Sequence, residues 1–216
     1  MQTTHTTFSL AGITVHQIAF DPATYTDADL LWLPHHPRFA SAGRKRKTDH
    51  LAGRIAAVSA LKASGTTAVP GIGASGEPLW PAGISGSITH SGTLALAVAG
   101  EYSLIGIDYE AILDENEAVE IKSGIIDAAE EAVLAKSGLP FALALTLAFS
   151  AKESLFKALF PAVQDYMGFE SARVTQIDQQ RLRLRLTGAA GSFNAHEEIA
   201  VQWKRHAQGV CTLAVR

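Results

Sequence analysis

The sequence predicts a protein of mixed helices and strands, built in two parts that faintly resemble each other. Apolar residues recur at helical spacing from Leu51 to Leu61, and a longer apolar stretch with the same character follows Pro140. Shorter segments between and after these stretches alternate apolar and polar residues, as strands do. Thr93–Val98 is echoed by Cys211–Val215 near the end of the chain, which favours two similar subdomains.

The composition is that of a globular protein without a strong overall charge. The 216 residues are 47% apolar and 18% charged, with a net charge of −3, so no global field predicts a nucleic-acid partner. Cys211 is the only cysteine, which excludes an internal disulfide and a cysteine-based zinc site. The chain start lacks signal-peptide features and neither apolar run could span a bilayer. We therefore expect a cytoplasmic protein with no membrane span.

The N-terminal part is predicted to contain strands followed by a helix with a basic start. Phe8–Phe20 alternates loosely, and the helical pattern that follows the run Arg44–Lys47 ends near Gly65. Arg46 and Arg54 are eight residues apart, close to two helical turns, so they share a face. On its own, the basic run is most simply a solvated helix start.

A loop rich in glycine and proline is predicted from Val69 to Gly83. Within it, Ser75 precedes the segment G-E-P-L-W-P, which places Trp80 between two prolines. We expect Trp80 to fill the edge of a core.

A pair of acids at the end of a predicted strand is the first candidate for chemistry. Asp108 and Glu110 follow the apolar Ile105 and Ile107, and alternate residues of a strand point to the same face. Two carboxylates held this close either repel each other or share a cation such as Mg²⁺. The plain alternative is an edge strand that ends in a solvated acidic turn. Upstream, His90 is predicted to lie in a polar turn between two strands.

The apolar helix after Pro140 carries the second set of candidates. It is predicted to run to Pro161 and includes Lys152, Glu153 and Lys157. An ordinary surface ion pair would explain Glu153 and Lys157. The rest of the helix is strongly apolar and must be largely buried, so charges on it favour a functional role.

The elements on either side of that helix have simpler interpretations. Asp127-Ala-Ala-Glu130 has the form of a capping box, in which Glu130 caps its own helix. The segment from Ala172 to Arg216 is predicted to form strands, with a solvated basic face on Arg181–Leu186.

Together these residues suit a Mg²⁺-assisted reaction on a polyphosphate. Carboxylates would hold the metal, while basic side chains would neutralise the remaining phosphate charge. The candidates are Arg46, Arg54, His90, Asp108, Glu110, Lys152, Glu153 and Lys157. Two other classes remain open: a different Mg²⁺-dependent phosphotransferase or phosphodiesterase, and a noncatalytic nucleic-acid-binding module built on Arg44–Lys47.

Three motifs in order resemble those of a known enzyme family. They are W-P-x-G-x-x-G-S-I-T-H-S, G-I-D-Y-E and F-S-A-K-E-S-L-F-K-A, accompanied by the helix pattern H-L-A-G-R-I-A-A-V. The chain resembles the 4′-phosphopantetheinyl transferases of the surfactin-synthetase type, and within them the enterobactin-synthetase component D branch. The resemblance extends from about Arg44 to Trp203.

The resemblance implies a reaction and a fold. The family moves the 4′-phosphopantetheine arm of coenzyme A to a serine of an apo carrier domain and releases adenosine 3′,5′-bisphosphate. The implied fold is α+β, with two similar subdomains in one chain related by a pseudo-two-fold axis and the active site in the cleft between them. We place these subdomains at residues 1–103, with the nucleotide contacts, and 104–216, with the metal site. A monomer is expected.

The resemblance also implies roles for individual residues. Asp108, Glu110 and Glu153 match the ligands of Mg²⁺, for which Mn²⁺ can substitute. His90 and Lys157 match contacts to the coenzyme A phosphates, with Lys152 as a supporting charge. The implied nucleotide contacts are Arg46 and Arg54. Glu130 lies where some members place a carboxylate proposed as general base, so Glu110, Glu130 or a metal-bound water could take the serine proton.

One position departs from the family pattern. Relatives often carry a lysine or arginine where this chain has Ser75. Either that phosphate contact is lost, or Arg44, Lys45 or Lys47 replaces it. The carrier also stays open: a siderophore synthetase is the natural expectation, with polyketide, peptide and fatty-acid carriers as alternatives.

Overall fold

A computed structural model describes all residues from Met1 to Arg216, and the chain divides into two compact units. Unit 1 is Met1–Ser103 and unit 2 is Leu104–Arg216. Each unit has one main antiparallel sheet with a long helix packed against it. The predicted α+β class is therefore confirmed. None of the helices combines the length and the hydrophobicity that a bilayer-spanning segment requires.

Unit 1 is built on a four-stranded sheet, crossed by one long helix. The sheet order is β1-β2-β6-β5, and a separate two-stranded ribbon pairs β3 with β4. The elements in chain order are β1 (Gln2–Leu10), β2 (Ile13–Asp21), α1 (Arg44–Ala63), β3 (Gly71–Ile72), β4 (Pro78–Leu79), β5 (Ser85–Ser91) and β6 (Leu94–Gly100), with short 3-10 turns at Pro22–Thr24, Asp27–Trp32 and His36–Phe39 between β2 and α1.

Small residues let α1 lie close to this sheet. Ala52, Ala56 and Ala60 recur every four residues, and all three are buried against strands β2 and β6. Residues four apart share one face of a helix, so the three methyl groups form a single flat stripe. The helix ends as predicted near Gly65, which adopts a φ of +83° that glycine accepts without strain.

The predicted polar turn at His90 is wrong, because His90 lies within β5. It pairs with Ala95 of β6, and its side chain remains exposed. The β-branched Ile88 and Thr89 extend the strand through this segment. The turn falls later, at Gly92, whose φ is +58°.

Trp80 packs against the unit 1 core, as the sequence predicts. The ring lies over Gly86 of β5, where a Cβ atom would come within 2.6 Å of Trp80 Cζ2. A side chain at position 86 would therefore displace the indole.

We expect Gly86→Ala to destabilise unit 1 by about 1–3 kcal/mol, the usual cost of overpacking. Gly188→Ala is the matched control, because nothing lies within 4 Å of the added Cβ at that position. Denaturant unfolding measures both. Equal stability of the two variants would show that the Trp80 ring does not pack firmly on β5.

Unit 2 is built on a five-stranded sheet with the order β7-β11-β10-β9-β8. Its elements in chain order are β7 (Ile105–Ala111), α2 (Glu115–Ile121), α3 (Ala128–Ala135), α4 (Phe141–Val163), β8 (Ala172–Ile177), β9 (Arg181–Leu186), β10 (Glu198–His206) and β11 (Gly209–Val215). The two echoing segments of the sequence are β6 and β11, each an inner strand of its own sheet.

The buried helix α4 packs directly on β7, and Gly106 makes this possible. A Cβ atom at position 106 would come within 1.9 Å of the backbone oxygen of Ser154 in α4. This close contact brings the polar side chains of α4 against β7, the strand that carries Asp108 and Glu110. The predicted end at Pro161 is slightly early, because the helix continues to Val163 with the proline inside its last turn.

Candidate active site

Asp108 is the centre of the polar cluster in unit 2, and it is only 2% exposed. One carboxylate oxygen accepts a hydrogen bond of 2.6 Å from Lys157 Nζ, and the other accepts one of 2.7 Å from Ser150 Oγ. Thr212 lies opposite Asp108 on β11, with its Oγ1 2.9 Å from Ser150 Oγ. Helix α4 and strand β11 therefore fix the orientation of a carboxylate on β7.

Two further carboxylates lie close enough to Asp108 to feel its charge. Burial raises the pKa of Glu110 to about 7, and the negative charges of Asp108 and Glu153 act in the same direction. Burial also raises the pKa of Glu153, with Lys157 opposing and Asp108 adding to the shift. Three partly or fully buried acids thus share a single lysine, and the cluster is short of positive charge.

The donor chemistry of this cluster fits a hard divalent cation. Carboxylate oxygens are the ligands that Mg²⁺ prefers, and a cation would offset both the burial and the carboxylate repulsion that raise the two glutamate pKa values. The side chains are not arranged as a finished cage: no group of three or more His, Cys, Asp or Glu residues is close enough to hold a metal ion. A cation would have to join or displace Lys157 at Asp108.

Glu130 and Lys152 form a separate, buried ion pair. Lys152 is 0% exposed and Glu130 is 3% exposed, with Nζ 2.8 Å from Oε1. The ammonium group also donates to the backbone oxygens of Ile125 at 2.8 Å and Phe169 at 3.0 Å. All three of its N–H bonds are thereby used, which leaves Lys152 no donor for a phosphate.

Glu130 is equally occupied by structural hydrogen bonds. Its Oε1 accepts from the backbone N–H of Val174 at 2.8 Å, and its Oε2 accepts from that of Asp127 at 3.0 Å. The second bond completes the capping box that the sequence predicts for α3. The Glu130 carboxylate therefore joins α3 to edge strand β8 and to Lys152 of α4.

Unit 1 carries a cluster of basic residues at one end of α1. Arg46 and His90 are exposed. Asp49 Oδ2 lies 3.7 Å from His90 Nδ1 and also accepts a hydrogen bond from Lys45 Nζ. Asp49 is buried and thus orients a histidine on β5 from the neighbouring helix.

Arg54 is buried, and its guanidinium ties α1 to the following loop. Nε donates to the backbone oxygen of Pro70, and one terminal nitrogen donates to that of Gly71, both at 2.9 Å. Burial lowers the pKa of Arg54 to about 10, so the side chain remains charged at neutral pH. Its remaining N–H bonds are those through which it could contact a ligand.

Ser75 lies in the exposed turn beyond this loop, where its backbone N–H donates to Glu77 Oε2 at 2.9 Å. The three basic residues that could replace a lysine at this position all have partners. Arg44 donates to the backbone oxygens of Pro22, Ala23 and Tyr25. Lys45 pairs with Asp49, and Lys47 pairs with Asp27 at 3.1 Å. The geometry therefore favours a lost contact over a substituted one.

Several residues of these clusters are missing from the sequence-based candidates. Ser150 had a visible signal, because Ser150, Glu153 and Lys157 are spaced at i, i+3 and i+7 on one helix face. Asp49 and Thr212 had none, since their roles depend on contacts between α1 and β5 and between β11 and α4.

Comparison with known proteins shows the class of protein directly. Residues 35–100 match the model of the 4′-phosphopantetheinyl transferase N-terminal domain, and residues 104–212 match that of the 4′-phosphopantetheinyl transferase superfamily. The chain belongs to this family. It is a transferase whose substrates are coenzyme A and carrier proteins, and the resemblance drawn from the three motifs is confirmed.

Individual relatives are similar over nearly the whole chain. Enterobactin synthase component D of Escherichia coli (strain K12) is 47% identical over 213 residues, which cover 99% of this chain and 98% of the relative. The protein of the same name from Salmonella typhi is 46% identical over 213 residues, covering 99% and 90%. The 4′-phosphopantetheinyl transferase PptT of Mycobacterium tuberculosis is 34% identical over 148 residues, covering 64% and 62%.

Proposed function

We propose that this transferase uses the Asp108 cluster to move phosphopantetheine from coenzyme A to a carrier serine. The observation that carries the proposal is the orientation of Asp108 by Ser150 and Lys157, beside two acids of raised pKa, within a unit that matches the family. A buried acid cluster with one lysine is suited to act on a substrate that brings phosphate charge together with a metal.

Asp108, Glu110 and Glu153 would hold Mg²⁺, or Mn²⁺ in its place. When bound, the metal would neutralise charge on the diphosphate of coenzyme A. Lys157 is 31% exposed on its side chain, so its ammonium can turn from Asp108 to a phosphate oxygen. It would then stabilise negative charge on the leaving adenosine 3′,5′-bisphosphate.

Glu110 is the side chain that we assign as general base. The carrier serine oxygen bonds to the phosphorus next to the pantetheine arm, and the bond from this phosphorus to the leaving phosphate breaks. The serine proton goes to Glu110. Glu130 is excluded from this role in our proposal, because both of its oxygens already accept structural hydrogen bonds. We assign Lys152 to the structural ion pair with Glu130 and not to a phosphate contact.

Unit 1 would supply the contacts to the nucleotide end of coenzyme A. Arg46 and His90 present exposed basic groups for the phosphates, and Arg54 adds a buried charge beside the Pro70–Gly71 loop. Asp49 would keep the His90 ring in position. These assignments follow the positions that the family motifs predict.

We expect Ser75→Lys to tighten coenzyme A binding by about two- to fivefold, the effect of one new exposed ionic contact. The serine is exposed, so the longer side chain has room. Ser75→Gln adds length without charge and should leave the affinity unchanged. Calorimetric titration with coenzyme A measures both. Unchanged binding by the lysine variant would mean that another basic residue already makes the contact.

The two relatives named enterobactin synthase component D lead us to propose a carrier of siderophore synthesis as the physiological acceptor. Peptide, polyketide and fatty-acid carriers are the alternatives to compare. The monomeric state and the cytoplasmic location stay predictions from the sequence.

Release of adenosine 3′,5′-bisphosphate tests the reaction type. Chromatography of coenzyme A incubated with the protein and Mg²⁺ should show this product only when an apo carrier is present. A carrier whose acceptor serine is replaced by alanine should give none, and a chelator should stop the reaction. Release without any carrier would instead indicate a phosphodiesterase that uses water.

A further inference from the structure

We propose that His35 and His50 form a proton-accepting pair beside the phosphate-binding residues of unit 1, so that coenzyme A binding is coupled to uptake of a proton. This inference rests on the proposed function, because it takes the phosphates of coenzyme A as the ligand. It adds a site to that function, since neither histidine is among the candidate site residues, although His50 begins the helix pattern H-L-A-G-R-I-A-A-V.

The two rings share a hydrogen bond. His35 Nε2 and His50 Nε2 are 2.8 Å apart, and the rings meet edge to face with centroids at 5.1 Å. A neutral imidazole carries one N–H, so one ring must donate and the other must accept at this contact. The Phe39 ring packs against one side of the His50 ring, with the two centroids 4.3 Å apart, and so restrains the orientation of His50.

The largest charge effects on this pair come from basic groups. His50 faces Arg46 and Arg54 from its own helix α1 and His90 from strand β5. Burial lowers the pKa of His50 to about 3, and the charge of Arg54 is the next cause.

His35 has similar surroundings on the segment before α1. Burial again lowers its pKa first, and the charges of Arg54, Arg38 and His36 follow. The neighbouring acid, Asp49, is already engaged by Lys45 and His90. Without an anion the pair is therefore held neutral at pH 7.

A bound phosphate would reverse this balance. The residues proposed to contact phosphate, Arg46, Arg54 and His90, are the ones that repel a proton from His50. A dianion placed among them attracts positive charge and raises the pKa values of both rings. His35 is the less deeply buried ring, so it would hold the proton. Its Nε2–H would donate to His50, which stays neutral.

The sign of the pH dependence follows from this coupling. The pKa of the pair is higher with ligand than without it, so binding takes up a proton and affinity falls as the pH rises between the two values. A single coupled proton limits the fall to tenfold per pH unit.

Unit 1 contains a second histidine pair that serves as a matched control. His5 Nε2 lies 3.1 Å from His16 Nδ1, with the rings stacked at 5.3 Å. Burial and the charge of His5 lower the pKa of His16, and no arginine contributes. This pair has the same chemistry without the surrounding phosphate-binding residues.

Calorimetric titration with coenzyme A in two buffers of different ionisation enthalpy measures the protons taken up. At pH 7 without Mg²⁺, we expect His35→Asn and His50→Phe to lose the uptake that the unmodified protein shows. His16→Asn should retain it. The 3′-phosphate of coenzyme A has its own pKa of about 6. It contributes equally in every case, so the difference between proteins is the readout.

If the His35 and His50 variants still bind coenzyme A and take up as many protons as the unmodified protein, this inference alone is overturned. Failure of the unmodified protein to bind coenzyme A would overturn the proposed function and this inference together. Should the variants not fold, nuclear magnetic resonance of the unmodified protein decides. The ring signals of His35 should move toward protonated shifts when coenzyme A is added at pH 7, and no such movement would refute the pair.

Discussion

Asp108→Asn should lower the rate of phosphopantetheinyl transfer by at least about a hundredfold, since even residues that only orient a metal ligand contribute ten- to a hundredfold. The asparagine has the same shape, so its amide oxygen can still accept from Lys157 and its amide nitrogen can donate to Ser150. What it lacks is the negative charge. The thermal midpoint should therefore change by only a few degrees while transfer is lost.

Two comparisons separate this effect from general damage. Asp165→Asn removes one negative charge from the exposed loop after α4 and should leave the transfer rate unchanged. Ser150→Ala keeps the Asp108 charge but removes a donor to it, so an intermediate loss is expected. A folded Asp108→Asn protein that transfers within tenfold of the unmodified rate in Mg²⁺ would refute the assigned metal ligand.

Glu130→Gln should destabilise the protein by about 3–5 kcal/mol, because it leaves the buried Lys152 ammonium without its counter-charge. For a chain of this length, that corresponds to a drop of about 10 °C in the thermal midpoint. Per folded molecule, transfer should be nearly unchanged. If Glu130 were the general base, a stable but inactive variant would be found instead.

The same helix provides the control for this prediction. Glu131 pairs with Lys122 at 2.6 Å, but both side chains are partly exposed. Glu131→Gln should therefore cost less than about 1 kcal/mol. In the double variant Glu130→Gln with Lys152→Met, the uncompensated charge is gone, so part of the lost stability should return. The ion-pair account would be contradicted if the double variant lost more stability than the two single variants lose when their losses are added.

Local patterns predicted those parts of the fold and site that depend on neighbouring residues. The alternation around Asp108 and Glu110 indicated a strand, and helical spacing placed Glu153 and Lys157 on one face of α4. The capping box at Asp127 was also readable and is confirmed. In each case the signal and the structure involve residues a few positions apart.

Contacts between distant elements could not be predicted in this way. Glu130 and Lys152 both looked available for chemistry, yet their pairing depends on how α3, α4 and β8 pack together. The pairing of His35 with His50 could not be predicted either, because their hydrogen bond forms only when the segment before α1 folds back on that helix. The turn assigned to His90 was wrong because β-branched neighbours outweighed the polar composition.

The most direct test of the central claim is the intact mass of an apo carrier protein after incubation with this protein, coenzyme A and Mg²⁺. We predict a gain of one phosphopantetheine on the carrier serine, absent when Asp108→Asn replaces the unmodified protein. An unchanged mass for siderophore, peptide, polyketide and fatty-acid carriers alike would contradict the account.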